Sequence, residues 1–324
     1  MKKLAVCMFI MYLLPMVAVY AAETEKKEVS YPTLKVNGYI QSRYTMDKDG
    51  ENKFQVKRAR SKFSGNASKN VRYSLLLDFI DDSKGSNLAD AYVDIKCLPK
   101  ATTRIGQFKT PFSMEYLTSS TKWDTIELAQ VVSKLASKRD VGIQLSGDIS
   151  ESLGYAVGIF NGTGSNAAEE NKRKDIVARG IVKPVKGLLL GVSHYEGKSG
   201  EADADKTKRR TGVQLAFADE PLSVKGEFIF GKNGETSAYG WYAQAGYMIP
   251  VSVGKKKHKV QAIAKYDSYD PNTDKESDKT DILTIGINCF ARANVKLQLN
   301  NLLVLDKGFG FDNDVILGQL QVTW

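Results

Sequence analysis

The feature that most constrains this chain is an alternation of apolar and polar residues with a period of two. In Thr33 to Tyr44, Leu34, Val36, Gly38, Ile40 and Tyr44 share one face, while Lys35, Asn37, Tyr39, Gln41 and Arg43 share the other. Successive strand side chains point to opposite faces, so this segment reads as a strand with one apolar and one polar side. The same phase recurs at Val71, Tyr73, Leu75 and Leu77, at Val141, Ile143 and Leu145, at Val213, Leu215 and Phe217, and at Tyr239, Trp241 and Ala243. About sixteen such segments are expected: 33–45, 54–67, 70–80, 88–98, 101–109, 140–149, 153–161, 175–183, 187–195, 209–218, 222–230, 238–249, 259–268, 281–290, 294–305 and 314–324. Most approach the ~9–11 residues with which a tilted strand crosses a bilayer.

The connections alternate in length. Short ones fall at Ser68-Lys69, Pro99-Lys100, Ser150 to Ser152, Pro184 to Lys186 and Asp219 to Pro221. Longer polar ones fall at Met46 to Lys53, Asp81 to Asn87, Thr110 to Arg139, Gly162 to Lys174, Glu196 to Lys208, Gly231 to Ser237, Tyr269 to Thr280 and Asp306 to Asn313. Short turns on one side and long loops on the other are the plan of an outer-membrane barrel. The lysine-rich stretch Pro250 to His258 departs from it, a long connection on the short side that reads as a solvated turn. Lipid offers no hydrogen bonds, so an open sheet edge is excluded and the first and last strands are expected to pair. In the last strand Ile316, Gly318, Leu320, Val322 and Trp324 share the apolar phase, placing Trp324 at the lipid-facing periplasmic rim. The expected fold is all-β: a transmembrane antiparallel β-barrel of about sixteen strands in one domain.

The N-terminus points to export. Lys2 and Lys3 precede an apolar run from Leu4 to Val19, and Val19-Tyr20-Ala21 resembles a signal-peptidase site, so residues 1–22 read as a cleaved signal peptide and 23–324 as the barrel domain. Beyond it no run reaches the ~18 apolar residues of a membrane helix. A mean hydropathy of -0.30 suits a barrel in which alternate residues face lipid. The net charge of +9 includes the two lysines of the signal. A basic excess favours anionic partners, and export argues against nucleic acid. Cys97 and Cys289 fall at lipid-phase positions and read as free, buried thiols.

The polar phase should then line a water-filled lumen. Arg43, Arg58, Arg60, Lys62, Arg72, Arg104, Arg179, Arg210, Lys225, Lys265 and Lys296 fall in it, opposed by Asp78, Asp90, Asp94, Asp148, Glu227 and Asp267. Mutually screening ion pairs are one reading, and anion preference is the other. The basic excess favours the second, because rings of Arg or Lys favour anions in a pore. The longest connection, Thr110 to Arg139, carries apolar residues at helical spacing between Trp123 and Leu135. It is expected to fold inward as a third external loop that narrows the lumen, rather than lie over the mouth. It presents Lys122, Lys134, Lys138 and Arg139, with Lys109 at its start.

Four stretches carry a family resemblance. The segment Arg104-Ile105-Gly106-Gln107-Phe108-Lys109-Thr110-Pro111-Phe112-Ser113-Met114-Glu115, then Arg139-Asp140-Val141-Gly142, then Tyr155 with Gly158-Ile159-Phe160-Asn161-Gly162, and the basic Lys57 to Gly65, resemble the phosphate-selective porin O and P family. The resemblance covers most of the chain after residue 22. It implies a sixteen-stranded barrel in the outer membrane, commonly a homotrimer, passing phosphate or other small anions past a basic constriction. It implies pore-lining roles for Arg58, Arg60, Arg104 and Lys109. Such a barrel would contact membrane lipid and lipopolysaccharide. The fifth external loop, Glu196 to Asp205, departs from the family's basic loops by being at least as acidic as basic, which leaves phosphate preference open.

Other chemistry has little to build on. The only histidines are His194 and His258, and Ser193-His194 is the one hint of a hydrolytic pair. Asp47-Lys48-Asp49-Gly50 begins like a calcium loop but lacks the downstream glutamate. No cofactor, metal or catalytic residue is expected. A non-conducting, adhesin-like barrel is the remaining alternative, and a sixteen-strand lumen argues against it.

Overall fold

The computed structural model describes residues 30–47, 52–80, 87–136, 139–169, 173–199, 206–254, 256–305 and 314–324. Sixteen strands form one closed antiparallel barrel. They are β1 (Lys35–Met46), β2 (Asn52–Ser68), β3 (Val71–Asp78), β4 (Leu88–Leu98), β5 (Ala101–Lys109), β6 (Arg139–Asp148), β7 (Leu153–Phe160) and β8 (Asp175–Val182), followed by β9 (Leu188–Ser199), β10 (Lys206–Asp219), β11 (Leu222–Asn233), β12 (Thr236–Val253), β13 (Lys256–Asp270), β14 (Thr280–Arg292), β15 (Val295–Val304) and β16 (Val315–Thr323). Each strand pairs with its sequence neighbours, and β1 closes on β16 from Tyr39 opposite Thr323 to Met46 opposite Ile316. Closure removes the edges that lipid could not solvate.

The faces sort as the alternation demands. Val213, Phe228, Ile285, Ile287, Leu297 and Leu299 are exposed on the outside, whereas Gln41, Gln214, Glu227, Lys265, Asn288 and Asn300 are buried on the inside. An apolar belt of this extent is not compatible with a monomer in water and fits a hydrocarbon surround. Trp324 lays its ring on Gly38: a Cβ added there would lie 2.2 Å from the ring carbon Cζ2. Glycine at position 38 therefore lets the chain's last aromatic seat against the first strand. Backbone bonds of 3.1 and 3.0 Å between Gly38 and Trp324 fix the same register.

Three local expectations are corrected, and one bulge is added. Residues Gly231 to Ser237 are not a long loop, because β11 and β12 run on to a tight turn at Gly234-Glu235. Pro250 to His258 is not a turn: β12 extends to Val253 and β13 begins at Lys256, so most of this basic stretch is a paired hairpin. The β1–β2 ladder shifts between Gln41 and Ser42, where Lys57 is the extra residue of a bulge. That bulge resets the phase, so Gln55 before it and Arg58 after it both face in. Cys289 is free and only half-buried, on the outer face. Residues 1–29, which include the expected signal peptide, lie outside the described residues.

Candidate functional site

The segment between β5 and β6 holds two short helices, α1 (Met114–Leu117) and α2 (Gln130–Leu135), with a 3-10 turn at Ser120–Lys122 between them. Ordered helix is thus much shorter than the expected Trp123 to Leu135 stretch. The segment's apolar side chains explain its position. Phe112, Ile126, Val131, Val132 and Leu135 are fully buried, and α2 packs on Ile229, Ala238 and Tyr242 of the wall. Each such residue contributes roughly 1.5–3 kcal/mol on burial. Gly240 makes the approach feasible, since a Cβ there would sit 2.8 Å from the Cβ of Val131.

Polar contacts extend this attachment around the barrel. The Glu227 carboxylate accepts from Ser113 Oγ (3.1 Å), the amides of Met114 (2.9 Å) and Glu115 (2.6 Å), and the Tyr242 hydroxyl (3.1 Å). Asp267 accepts from the Gln130 amide (3.2 Å), and Asn300 from the Ile126 amide (2.7 Å). Lys265 donates to Thr125 Oγ1 (3.1 Å) and the Glu127 carbonyl (2.9 Å); Lys296 donates to the carbonyls of Thr121 (3.2 Å) and Trp123 (2.8 Å). On β1, Gln41 reaches the Ser120 carbonyl at 3.3 Å, and the Tyr39 and Ser120 hydroxyls bond at 2.6 Å. The wall from β11 round to β1 is therefore largely covered by the segment, and most of its buried polar groups are hydrogen-bonded, with Arg43 Nε and Ser268 Oγ among the exceptions.

Open space remains against β2 to β10 and, at the short-turn end, against β1 and β16. An outer cavity of about 480 Å³ is lined by residues including Arg60, Asp78, Tyr116, Lys134, Arg139, Lys208 and Arg210. A cavity of about 460 Å³ nearer the short turns is lined by Tyr39, Arg60, Lys62, Asp90, Lys109, Thr121 and Arg139 among others. Arg60 and Arg139 border both, so they stand where the two meet.

The basic residues divide into two sets. Arg60 pairs with Asp78 (2.6 Å), Arg104 with Asp94 (2.7 Å), Arg139 with Asp90 (2.7 Å), and Arg43 with Glu127. Arg104 also stacks 3.8 Å from the Tyr92 ring centroid. Lys62, Lys109, Lys134 and Arg58 form no ion pair among the described residues. Lys109 donates to the Tyr116 and Thr118 carbonyls, and Arg58 donates to Gln41 (3.0 Å) and lies over the Trp123 ring at 4.9 Å. Arg43 is buried beneath the inner segment, and Lys122 is exposed beside Trp123 and Asp124. Lys138 lies outside the described residues. Within the segment, burial pushes the Glu115 carboxyl up to about 7, helped by Glu227 and Asp267 against the pull of Lys265 and the Ala129 amide.

The alternation alone did not single out the segment's own acids, Asp124 and Glu127, nor Lys208. The amides Gln244, Gln261, Asn288 and Gln298 could have been found, because all four occupy the polar phase.

The sequence pattern described as phosphate-selective porin O and P matches residues 35–221 and 195–308. The chain belongs to that family. Family and closed barrel together imply residence in the bacterial outer membrane. An uncharacterized protein of Aquifex aeolicus (strain VF5) is 24% identical over 285 residues, covering 72% of this chain; the chain thus spans just under two thirds, 66%, of that relative. Among solved structures, OmpF of Salmonella typhi in complex with daunomycin superposes with a TM-score of 0.66 at 9% identity, over 90% of this chain and 97% of that one. The anion-selective porin from Comamonas acidovorans gives 0.62 at 13% identity, over 90% and 99%. OmpT of Vibrio cholerae in its trimer form gives 0.62 at 9%, again over 90% and 99%. At these identities the likenesses show the fold.

Proposed function

We propose that the chain is an outer-membrane diffusion channel that prefers small anions, phosphate among them. The observation that carries this reading is the charge at the junction of the two cavities. Of the acids lining the cavities, Asp78 and Asp90 are each bonded to an arginine and Asp140 accepts only the amides of Val141 and Gly162, while Lys62, Lys109 and Lys134 remain without an acidic partner among the described residues. Paired arginines contribute dipoles and hydrogen-bond donors; Lys62 and Lys134 supply the net positive field that selects for anions. In this reading the segment after β5 is the constriction, and Arg58, Arg60, Arg104, Lys109 and Arg139 line it. The trimer form of the Vibrio cholerae OmpT structure and the anion-selective Comamonas porin support a homotrimer and anion passage here. The outward apolar belt would contact lipid and the lipid part of lipopolysaccharide, after export on a cleaved signal peptide.

A channel is favoured over a hydrolase because Ser193 and His194 point to opposite faces of the wall. Ser193 is buried inside, bonded to Gln214 at 2.9 Å, and His194 is exposed outside, 2.9 Å from Thr211. Titrating phosphate against a chloride current through single channels tests the reading. A dose-dependent fall in chloride conductance is expected, whereas a current indifferent to phosphate would remove phosphate from the list of preferred solutes.

A further inference from the structure

One residue of the inner segment is gripped by five consecutive strands. The Asp124 carboxylate accepts from Lys225 Nζ on β11 (2.5 Å), Gln244 Nε2 on β12 (2.9 Å) and Gln261 Nε2 on β13 (3.2 Å). Its carbonyl accepts from Asn288 Nδ2 on β14 (2.9 Å) and Gln298 Nε2 on β15 (3.0 Å). The amides are themselves tied together, Asn288 to Gln261 at 3.0 Å and Gln298 to Asn288 at 3.1 Å. Removing the carboxylate would leave two buried amide donors, Gln244 and Gln261, and the half-buried Lys225 ammonium unpaired at once, which is the costly kind of loss.

We propose that Asp124 is a positioning residue that sets both the width and the charge of the pore. It holds the stretch from Thr118 to Ile126 against the β11–β15 wall, so that the opening is kept to the opposite side of the barrel. It also neutralises Lys225, a lumen lysine that would otherwise add to the positive field. The two roles give separable readouts. Width governs conductance and the size of polymer excluded; charge governs the reversal potential.

The proposal rests on the chain conducting, and the unmodified protein, measured first, establishes that separately. In planar bilayers Asp124→Ala should conduct more than the unmodified protein by roughly twofold, admit larger polyethylene glycols, and keep or strengthen anion preference through the freed Lys225. Lys225→Gln, with Asp124 still held by Gln244 and Gln261, should leave the polymer limit in place and shift the reversal potential toward cations. The charge-exchanged Asp124→Lys, Lys225→Asp double variant should return the polymer limit toward that of the unmodified protein, a recovery that general damage to the barrel would not give. Should Asp124→Ala fail to fold, the Lys225→Gln and exchanged variants still decide the matter. Folded Asp124→Ala with unchanged conductance and polymer limit would overturn the proposal, as would an exchanged variant as wide as the single Ala variant.

Discussion

At the scale of single residues, selectivity should follow pairing rather than residue type. Arg43 is covered and bonded to Glu127, so the double variant Arg43→Gln, Glu127→Gln, which removes the pair without changing net charge, is expected to move the reversal potential little. Reversing Arg58 and Lys62 together, which carry no acidic partner among the described residues, should shift it strongly toward cations. Equal effects from the two experiments would contradict this division. Glu115 adds a pH dependence. Its carboxyl titrates near 7, so it is neutral at pH 6 and negative at pH 8. Anion preference should therefore weaken as pH rises through 7, and Glu115→Gln should flatten that part of the profile. The sign for stability is the same: a carboxyl raised above its ordinary 4.5 stabilises fully below that value and loses the contribution as pH climbs through about 7. The ion pairs were not visible in the sequence for a physical reason. Arg60 faces Asp78 and Arg104 faces Asp94 directly across neighbouring strands, a relation fixed by register and not by spacing along the chain.

At the scale of elements, the strands were legible because lipid on one side and water on the other write the period of two into each of them. Their ends were less so. The β11–β12 and β12–β13 hairpins continue beyond the apolar alternation, where backbone pairing persists after lipid contact stops constraining side chains. Bulges were invisible too: one inserted residue at Lys57 looks like any other until its partner strand is known. The inner segment was legible as apolar, and its route was not, since that route is set by contacts with strands more than a hundred residues away, such as Lys225 and Asn288. Its docking yields a direct test at Gly240. Gly240→Val would collide with Val131 and Ser268, overpacking at a cost of about 1–3 kcal/mol. Lower thermal stability together with a changed conductance is expected; a well-folded variant with unaltered conductance would show that α2 does not dock there.

At the scale of the whole molecule, sixteen closed strands enclose more space than their own inward side chains fill, and one long connection covers part of it. What is left is the pair of cavities opposite the β11–β15 wall, both bordered by Arg60 and Arg139. An outer surface of exposed apolar residues predicts that the protein partitions into detergent or bilayer. Its mass there should be three times that of one chain, as sedimentation in density-matched detergent would show. Charge at the narrow point is the central claim, and the zero-current potential across a planar bilayer under a tenfold potassium chloride gradient tests it most directly. A potential of the sign that marks chloride as the more permeant ion is predicted. A potential of the opposite sign, or a folded protein that carries no current, would contradict it.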